Sequence, residues 1–397
     1  MDISRHPIWK GVAGFKKPFH LLRFNLAQQY AKLLPAGNFV GITGSVGKTT
    51  ATEACKAVLS KKFNTIATTE TSSNVNLDPI FNIPMTILRT TPKTQKVILE
   101  MGVEYLGDMD IYLQLIRPKT AVLTKISYVH SEFFGSIKQI LEEKGKLFAQ
   151  LPKDGLAILN WDDLYSRKVA DMTKAQVVYF GTDPKNCTVW ADKIKIENFK
   201  TVFELNYGVE RVKVELKLLG AHQIYAALAA ATLGISENIS LIKIKQALES
   251  LEPAEHRMQI LEGPNNSLII DDTYNADPSA MDAAIDTLQQ IPARRRVVVL
   301  GEMKELGSYT ESLHQELARK IYKEKIDLVF LGQGNANLIA EELSRLGFIE
   351  NRMEYNLQNS QMVSKLLQTL DKGDVCLIKG AHSLRLDEVV KRIAKKN

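Results

Sequence analysis

The sequence predicts an α/β protein, with a short helical leader followed by two units in which strands alternate with helices. Three observations predict it. Short apolar runs recur along the chain with amphipathic helical stretches between them, the pattern of a mostly parallel sheet covered by helices. A glycine-rich turn joins the first such run to the first such helix. Pro253 interrupts a helical run near Leu251 to His256, and beyond it the alternation starts again with new apolar runs. The expected units are a basic leader at 1–37, a central domain at 38–253 and a C-terminal domain at 254–397.

Taken in order, Phe39 to Thr43 reads as a short buried strand, and Ala51, Ala54, Cys55, Val58 and Leu59 recur at helical spacing after it. Strands are expected at Val97 to Leu99 and Thr120 to Ile126, and helices at Ser136 to Leu151 and Ile224 to Leu233. Val189 to Leu218 alternates apolar with charged residues, which predicts antiparallel strands at the edge of the first sheet. Past Pro253, the runs Ser267 to Ile270, Arg296 to Leu300, Asp327 to Leu331 and Asp374 to Ile378 predict a second, Rossmann-like α/β unit.

Composition narrows the class of protein. The chain has 397 residues, 45% hydrophobic and 24% charged, as an ordinary globular protein of two or three domains does. Cys55, Cys187 and Cys376 lie far apart with no metal spacing, which argues for a reducing compartment and a cytoplasmic location. The formal net charge is +6, but Met1 to Gly37 holds six bases (Arg5, Lys10, Lys16, Lys17, Arg23, Lys32) against Asp2, so +5 of it sits there. The remainder is nearly neutral, which argues against a nucleic-acid partner. The longest apolar stretch, near Ile224 to Ile235, falls short of the ~20 residues that span a bilayer. Secretory-signal features are missing from the N-terminus.

The sharpest local signal is Gly41-Ile42-Thr43-Gly44-Ser45-Val46-Gly47-Lys48-Thr49-Thr50, lying between a strand and a helix. Gly44 and Gly47 let the backbone curl so that N–H groups point at phosphate oxygens, and the helix N-terminus adds attraction. Lys48 is placed to reach the outer phosphates and Thr49 to offer its hydroxyl to Mg²⁺. The stricter spacing puts glycine where Ile42 stands, and the shorter GxxGK[ST] form is met. The residues Gly44 to Thr50 are thus the expected nucleotide-binding loop of an ATP-binding domain. No NKxD guanine tetrad occurs, which disfavours a GTPase. Glu100 ends the strand Val97 to Leu99, well placed to hold a metal beside that loop.

Lys144 falls on the apolar stripe of its helix with Ile137, Ile140, Leu141, Leu147, Phe148 and Leu151. Burying an ammonium is costly, so this lysine is paired, snorkelling or chemically altered.

These motifs resemble the Mur ligase family, the ATP-dependent amide-forming enzymes of peptidoglycan precursor synthesis. The resemblance runs from about Phe39 to the C-terminus. It rests on the phosphate loop, Glu100-Met101-Gly102, His130, Lys144 to Phe148, Gly220-Ala221-His222, His256-Arg257-Met258 and Asp271 to Pro278. Gly301 to Gly307 and Lys379 to Ser383 complete it. The Asp271 to Pro278 and Gly301 to Gly307 motifs are most similar to those of the member that adds D-alanyl-D-alanine to a UDP-linked muramoyl tripeptide. The resemblance implies ATP and two Mg²⁺ ions. Thr49 would hold the first with the phosphates, while Glu100, His130 and a carbamylated Lys144 share the second. It further implies that Asn74 and Asn76 lie near the reacting phosphate. Arg257, Asp272 and Asn275 would contact the nucleotide from the C-terminal domain. The implied substrates are a small-molecule acyl donor and an amine acceptor, handled by a monomer.

Several positions depart from the family. Gln223 and Ala226 stand where asparagines are usual, which bears on adenine binding, and His382 stands where arginine is common, which bears on the acceptor. Only about 37 residues precede the phosphate-loop strand, too few for the separate uridine-gripping domain of ~80–100 residues that UDP-substrate members carry. Two other readings follow from that: a ligase acting on another acid, similar to folylpolyglutamate or cyanophycin synthetases, or a non-catalytic ATP-binding partner protein. The leader interleaves Trp9, Phe15, Phe19, Leu22 and Phe24 with its bases. A peripheral membrane contact, a dock for a protein partner and a helix packed on the core all fit that pattern.

Overall fold

A computed structural model describes residues 3–12, 14–71 and 78–395. Asn74 and Asn76 lie outside the described residues.

The first sheet has the order β2-β3-β1-β4-β5-β6-β7-β8-β9. Its strands are β1 (Phe39–Thr43), β2 (Thr65–Ala67), β3 (Lys96–Glu100), β4 (Thr120–Leu123), β5 (Leu156–Asn160), β6 (Gln176–Gly181), β7 (Val189–Glu197), β8 (Lys200–Tyr207) and β9 (Glu210–Leu216). Pairing is parallel from β2 to β7 and antiparallel across β7, β8 and β9. Every residue of β1 is buried, as a central parallel strand covered on both faces requires. On one face lie α2 (Lys48–Leu59) and the helix Ile224–Ser236. That second helix is rich in alanine and buried nearly all round, so it sits against the sheet without a polar stripe of its own. The other face is covered by α1 (Lys17–Ala31), α3 (Pro79–Leu88), α4 (Asp108–Leu115) and α6 (Ile137–Ala149), with the short α5 (Ser131–Phe134) before α6. Leu147 of α6 is fully buried there, and its truncation to alanine is expected to cost about 2–5 kcal/mol.

The second sheet has the order β10-β11-β15-β12-β13-β14. Its strands are β10 (Gln259–Glu262), β11 (Leu268–Asp272), β12 (Arg295–Leu300), β13 (Leu328–Gly332), β14 (Met353–Leu357) and β15 (Asp374–Lys379), all parallel except β10. Helices Pro278–Gln289, Thr310–Lys323 and Asn337–Arg345 cover one face; Asn359–Thr369 and Leu386–Ile393 cover the other.

This is the expected mixed α/β architecture, with each anticipated strand in place. β2, β5, β6, β10 and β14 were not among the expected strands; β14 shows one reason. It is an edge strand whose middle residues Tyr355 and Asn356 are exposed, so its apolar signal is confined to its two ends.

Strand order decides where chemistry is possible. β1 lies between β3 and β4, with Ile42 opposite Glu100 and Thr43 opposite Leu123. The C-terminal ends of all three strands therefore open at one place, where ligands of open α/β sheets bind. In the second sheet Asp272 and Leu300 both lie opposite Lys379, which brings three motif-bearing loops together.

Candidate active site

The phosphate loop forms as its sequence requires. Gly44 has φ 149° and Gly47 φ 77°. A Cβ on Gly44 would fall 2.0 Å from Thr124 Oγ1, so the loop passes hard against the end of β4. Side chains brace the turn: the Thr124 hydroxyl donates to the Val46 carbonyl at 2.6 Å, and the Ser45 hydroxyl donates to the Ser127 carbonyl at 3.0 Å. The first turn of α2, from Lys48, presents N–H groups that have no partner within the helix.

Lys48 Nζ donates to the Ser45 carbonyl at 3.0 Å, and a Cβ on Gly102 would come 3.2 Å from Lys48 Cε. The Glu100-Met101-Gly102 turn thus lies beside the loop lysine. Thr49 Oγ1 donates to Glu100 Oε1 at 3.2 Å. Desolvation lowers the Lys48 pKa, while the charges of Glu100 and Asp277 oppose that shift and Arg257 adds to it. Asp277 and Arg257 belong to the second unit, so the loop lysine lies within electrostatic reach of it.

Lys144 is 2% exposed in α6. Among the described residues its ammonium has no hydrogen bond or ion pair; the neighbouring Lys146 takes Glu143 and Asp110 instead. Burial pushes the Lys144 amine well below the ordinary lysine range, and the Lys48 charge pushes the same way against Glu143, Asp108 and Glu104.

His130 lies against the second unit. It has φ 59° at the start of α5, and its Nδ1 lies 2.5 Å from Glu305 Oε2 of the second unit. A carboxylate can only accept, so Nδ1 donates and Nε2 is left facing away from Glu305. That hydrogen bond holds the Glu305 carboxyl below the usual range. Around it the Glu132 amide donates to the Glu305 carbonyl at 3.0 Å, Ser131 Oγ donates to the Leu306 carbonyl at 3.3 Å, and the Tyr128 and Tyr309 rings meet at a tilt with centroids 4.9 Å apart. The Gly301 to Gly307 motif is thereby an inter-unit latch on the His130 turn.

The second unit's motifs also converge. The Arg257 guanidinium lies 3.8 Å over the Tyr274 ring. Asp272 accepts from Lys379 Nζ at 2.5 Å and from the Met258 amide at 3.2 Å, and the Asn275 carbonyl accepts from the same ammonium at 2.8 Å. His256, at φ 60°, contacts Asp271 at 2.7 Å. Asp277 caps the helix from Pro278 through the Ala280 amide.

Thr49 and Glu100 are the expected residues that meet directly; Lys48 and Lys144 share one electrostatic environment, and His130 is held by Glu305. Among the described residues no three His, Cys, Asp or Glu side chains cluster as a metal cage. Hard oxygen donors at Thr49 and Glu100 suit Mg²⁺, and His130 offers Nε2. Lys144 would suit a hard metal ion as an anionic carbamate, which offers oxygen, whereas its ammonium has no lone pair. Gln223 places its amide nitrogen 3.0 Å from His222 Nε2, while Ala226 is buried in the first core and His382 lies beside Tyr274 with centroids 6.1 Å apart. Sequence reasoning gave no role to Glu305, Asp277 or Asp78, although the first two lay inside quoted motifs. Asp78 caps α3 with a carboxyl pushed up to about 7 by burial and by the charges of Glu104 and Asp108. For Asp78 the signal was its place just before Pro79 at a helix start.

Comparisons agree with this geometry. Residues 42–234 match the Mur ligase middle domain and residues 256–382 the Mur ligase, glutamate ligase domain. The chain is 32% identical over 371 residues to the UDP-N-acetylmuramoyl-tripeptide--D-alanyl-D-alanine ligase of Escherichia coli, covering 93% of this chain and 79% of that one. The Bacillus subtilis enzyme of the same name is 29% identical, covering 92% and 78%. Among solved structures, MurF from Acinetobacter baumannii superposes with a TM-score of 0.84 at 23% identity, over 94% of this chain and 80% of that one. MurF from Thermotoga maritima, solved with ADP, superposes with a TM-score of 0.81 at 24% identity, over 94% and 83%. A phosphate loop opposed by a second α/β unit, and relatives of this similarity along nine-tenths of its length, establish that the chain belongs to the Mur ligase family of ATP-dependent, amide-forming ligases.

Proposed function

We propose that the chain joins D-alanyl-D-alanine to a UDP-linked muramoyl tripeptide, the reaction its curated relatives are named for. The observation that carries this reading is the phosphate-loop lysine facing Arg257 and Asp277 of the second unit, beside the Thr49–Glu100 pair.

A carboxylate resists attack by an amine because its charge repels nucleophiles and oxide is a poor leaving group. Transfer of the ATP γ-phosphoryl group to it gives an acyl phosphate, which the amine attacks to form the amide and release phosphate. Such transfer needs positioning and charge neutralisation more than covalent help from the protein. Gly44 to Thr50 cradle the phosphates with backbone N–H groups, and Lys48 neutralises charge on the outer ones. Mg²⁺, when bound, would spread the phosphate charge and fix its geometry, held by Thr49 at one position and by Glu100, His130 and a Lys144 carbamate at another. A lysine amine adds CO₂ in its neutral form and releases a proton; burial and the Lys48 charge favour that form at Lys144, and the carbamate is an anion where a cation was costly. Arg257 is placed to meet phosphate from the second unit, and Asp272 and Asn275 to hold the nucleotide there. The Glu305–His130 latch closes the two units over the reacting groups and excludes water. In this reading 1–37 is a leader, 38–253 the ATP-binding unit and 254–397 the ligase unit of a cytoplasmic monomer. Among the described residues no helix is long and apolar enough to cross a membrane.

The test is phosphate release from ATP, with amide formation followed by mass spectrometry. Turnover with UDP-muramoyl tripeptide and D-alanyl-D-alanine is expected. Turnover confined to folate-type or amino-acid polymer substrates would overturn the substrate, and ATP binding without turnover on any donor would overturn the activity.

A further inference from the structure

The N-terminal helix has two apolar faces, and the fold uses one. Phe24, Ala27 and Ala31 are buried against α3 and α4. Polar contacts pin this side: His6 to Asp108 at 2.6 Å, Gln28 to the Gln114 carbonyl at 3.0 Å and Tyr30 to the Thr90 carbonyl at 3.0 Å. On the far side Phe15, Phe19, Leu22, Leu26 and Leu33 are 72, 67, 57, 53 and 79% exposed. Steps of four, three, four and seven residues put all five on one line along the helix and its flanks. Scattered exposed leucines are ordinary, whereas a continuous row is the mark of a contact surface.

By helical position Lys16 and Arg23 flank this row on one side and Lys32 on the other. Between residues 3 and 38 there is no acid to offset them. We propose that this outer face docks the chain on an anionic lipid bilayer, with the helix lying in the interface plane. The row enters the acyl boundary, and the flanking bases meet the headgroups.

Charge selects this occupant over a second copy of the chain. Two such rows packed together would set Lys16, Arg23 and Lys32 of one helix against the same bases of the other, at the flanking positions where self-association needs opposite signs. An anionic surface satisfies the bases from either side. The docked state also needs no unfolding, because the buried face and its polar pins stay in place.

The test is co-sedimentation of the full chain with vesicles. Binding is expected on 3:1 phosphatidylcholine:phosphatidylglycerol at low salt, with at least about tenfold less on phosphatidylcholine alone. Replacing Lys16, Arg23 and Lys32 by Gln should lower binding about fivefold for each base removed. The triple variant F19E/L22E/L26E should abolish binding while its thermal unfolding and ATP affinity match the parent, since those side chains touch neither core nor site. Equal binding to neutral and anionic vesicles, unchanged binding by the glutamate variant, or no binding at low salt would overturn the proposal. So would a concentration-dependent dimer, or an acidic protein partner that needs the same face and displaces the vesicles.

Discussion

Two lysines, one in each α/β unit, are buried to nearly the same degree and solved by the fold in opposite ways. Lys379 ends β15 at 3% exposure, with Asp272 at 2.5 Å and the Asn275 carbonyl at 2.8 Å. Lys144 sits in α6 at 2% exposure with no acid or carbonyl on its ammonium among the described residues. Burial alone therefore does not define a structural lysine; what matters is whether the surroundings were built for the charged form. Around Lys379 they were. Around Lys144 burial and the Lys48 charge both disfavour the charged form.

Four measurements break or sharpen that contrast. Lys144→Ala should drop ligation to background with ATP binding retained, and a short carboxylate in the medium should restore part of the rate. Full activity in this variant would sink the carbamate reading. Its unfolding midpoint in urea should match or exceed the parent's, because no partner is left unpaired. Lys379→Met should instead destabilise by about 3–5 kcal/mol, since it strands the Asp272 carboxylate in a partly buried site, and adding Asp272→Leu should recover much of that loss. If both lysine variants lose equal stability, the contrast fails.

A smaller effect is expected at the latch. Glu305→Gln keeps the shape but loses the charge that orients His130, and ligation should fall about 10–100-fold. Metal dependence of the rate should shift with it, toward higher Mg²⁺ for half-activation, while unfolding stays near parental. An unchanged Mg²⁺ requirement would mean that Glu305 acts on packing alone.

The smallest effect concerns His222, whose pKa is lowered from 6.5 to about 4 chiefly by burial. The unfolded chain takes up this proton before the folded one does, so stability declines as pH falls from about 6.5 toward 4. Above that window the group contributes no slope. His222→Gln should flatten this part of the acid limb in urea titrations at several pH values, and an unaltered limb would show that other groups set it.

Local chemistry made much of this legible. The phosphate loop needed only its strand, its glycines and its helix, all within a dozen residues. Lys144 stood out because helical periodicity placed a cation among Ile140, Leu147 and Phe148. The antiparallel edge from Val189 was visible as alternation. By contrast, His130 and Glu305 are 175 positions apart, and no local pattern joins them. The leader is similar: apolar residues lie on both of its faces, so sequence left membrane, partner and packing open together. Packing answered for Phe24, Ala27 and Ala31 and left Phe15, Phe19, Leu22, Leu26 and Leu33 outside.

By itself the sequence determined the fold class, the phosphate loop, the burial of Lys144 and the family, because each rests on periodicity, turn chemistry or ordered motifs that lie close along the chain. Tertiary structure alone decided which charges meet. It gave Lys379 an acid and, among the described residues, Lys144 none; it turned His130 toward Glu305 and set Arg257 and Asp277 near Lys48. Coulomb and hydrogen-bond energies depend on distances of a few ångströms in space. Those distances are fixed by strand order and by the packing of one unit on the other, which neighbours in sequence do not encode.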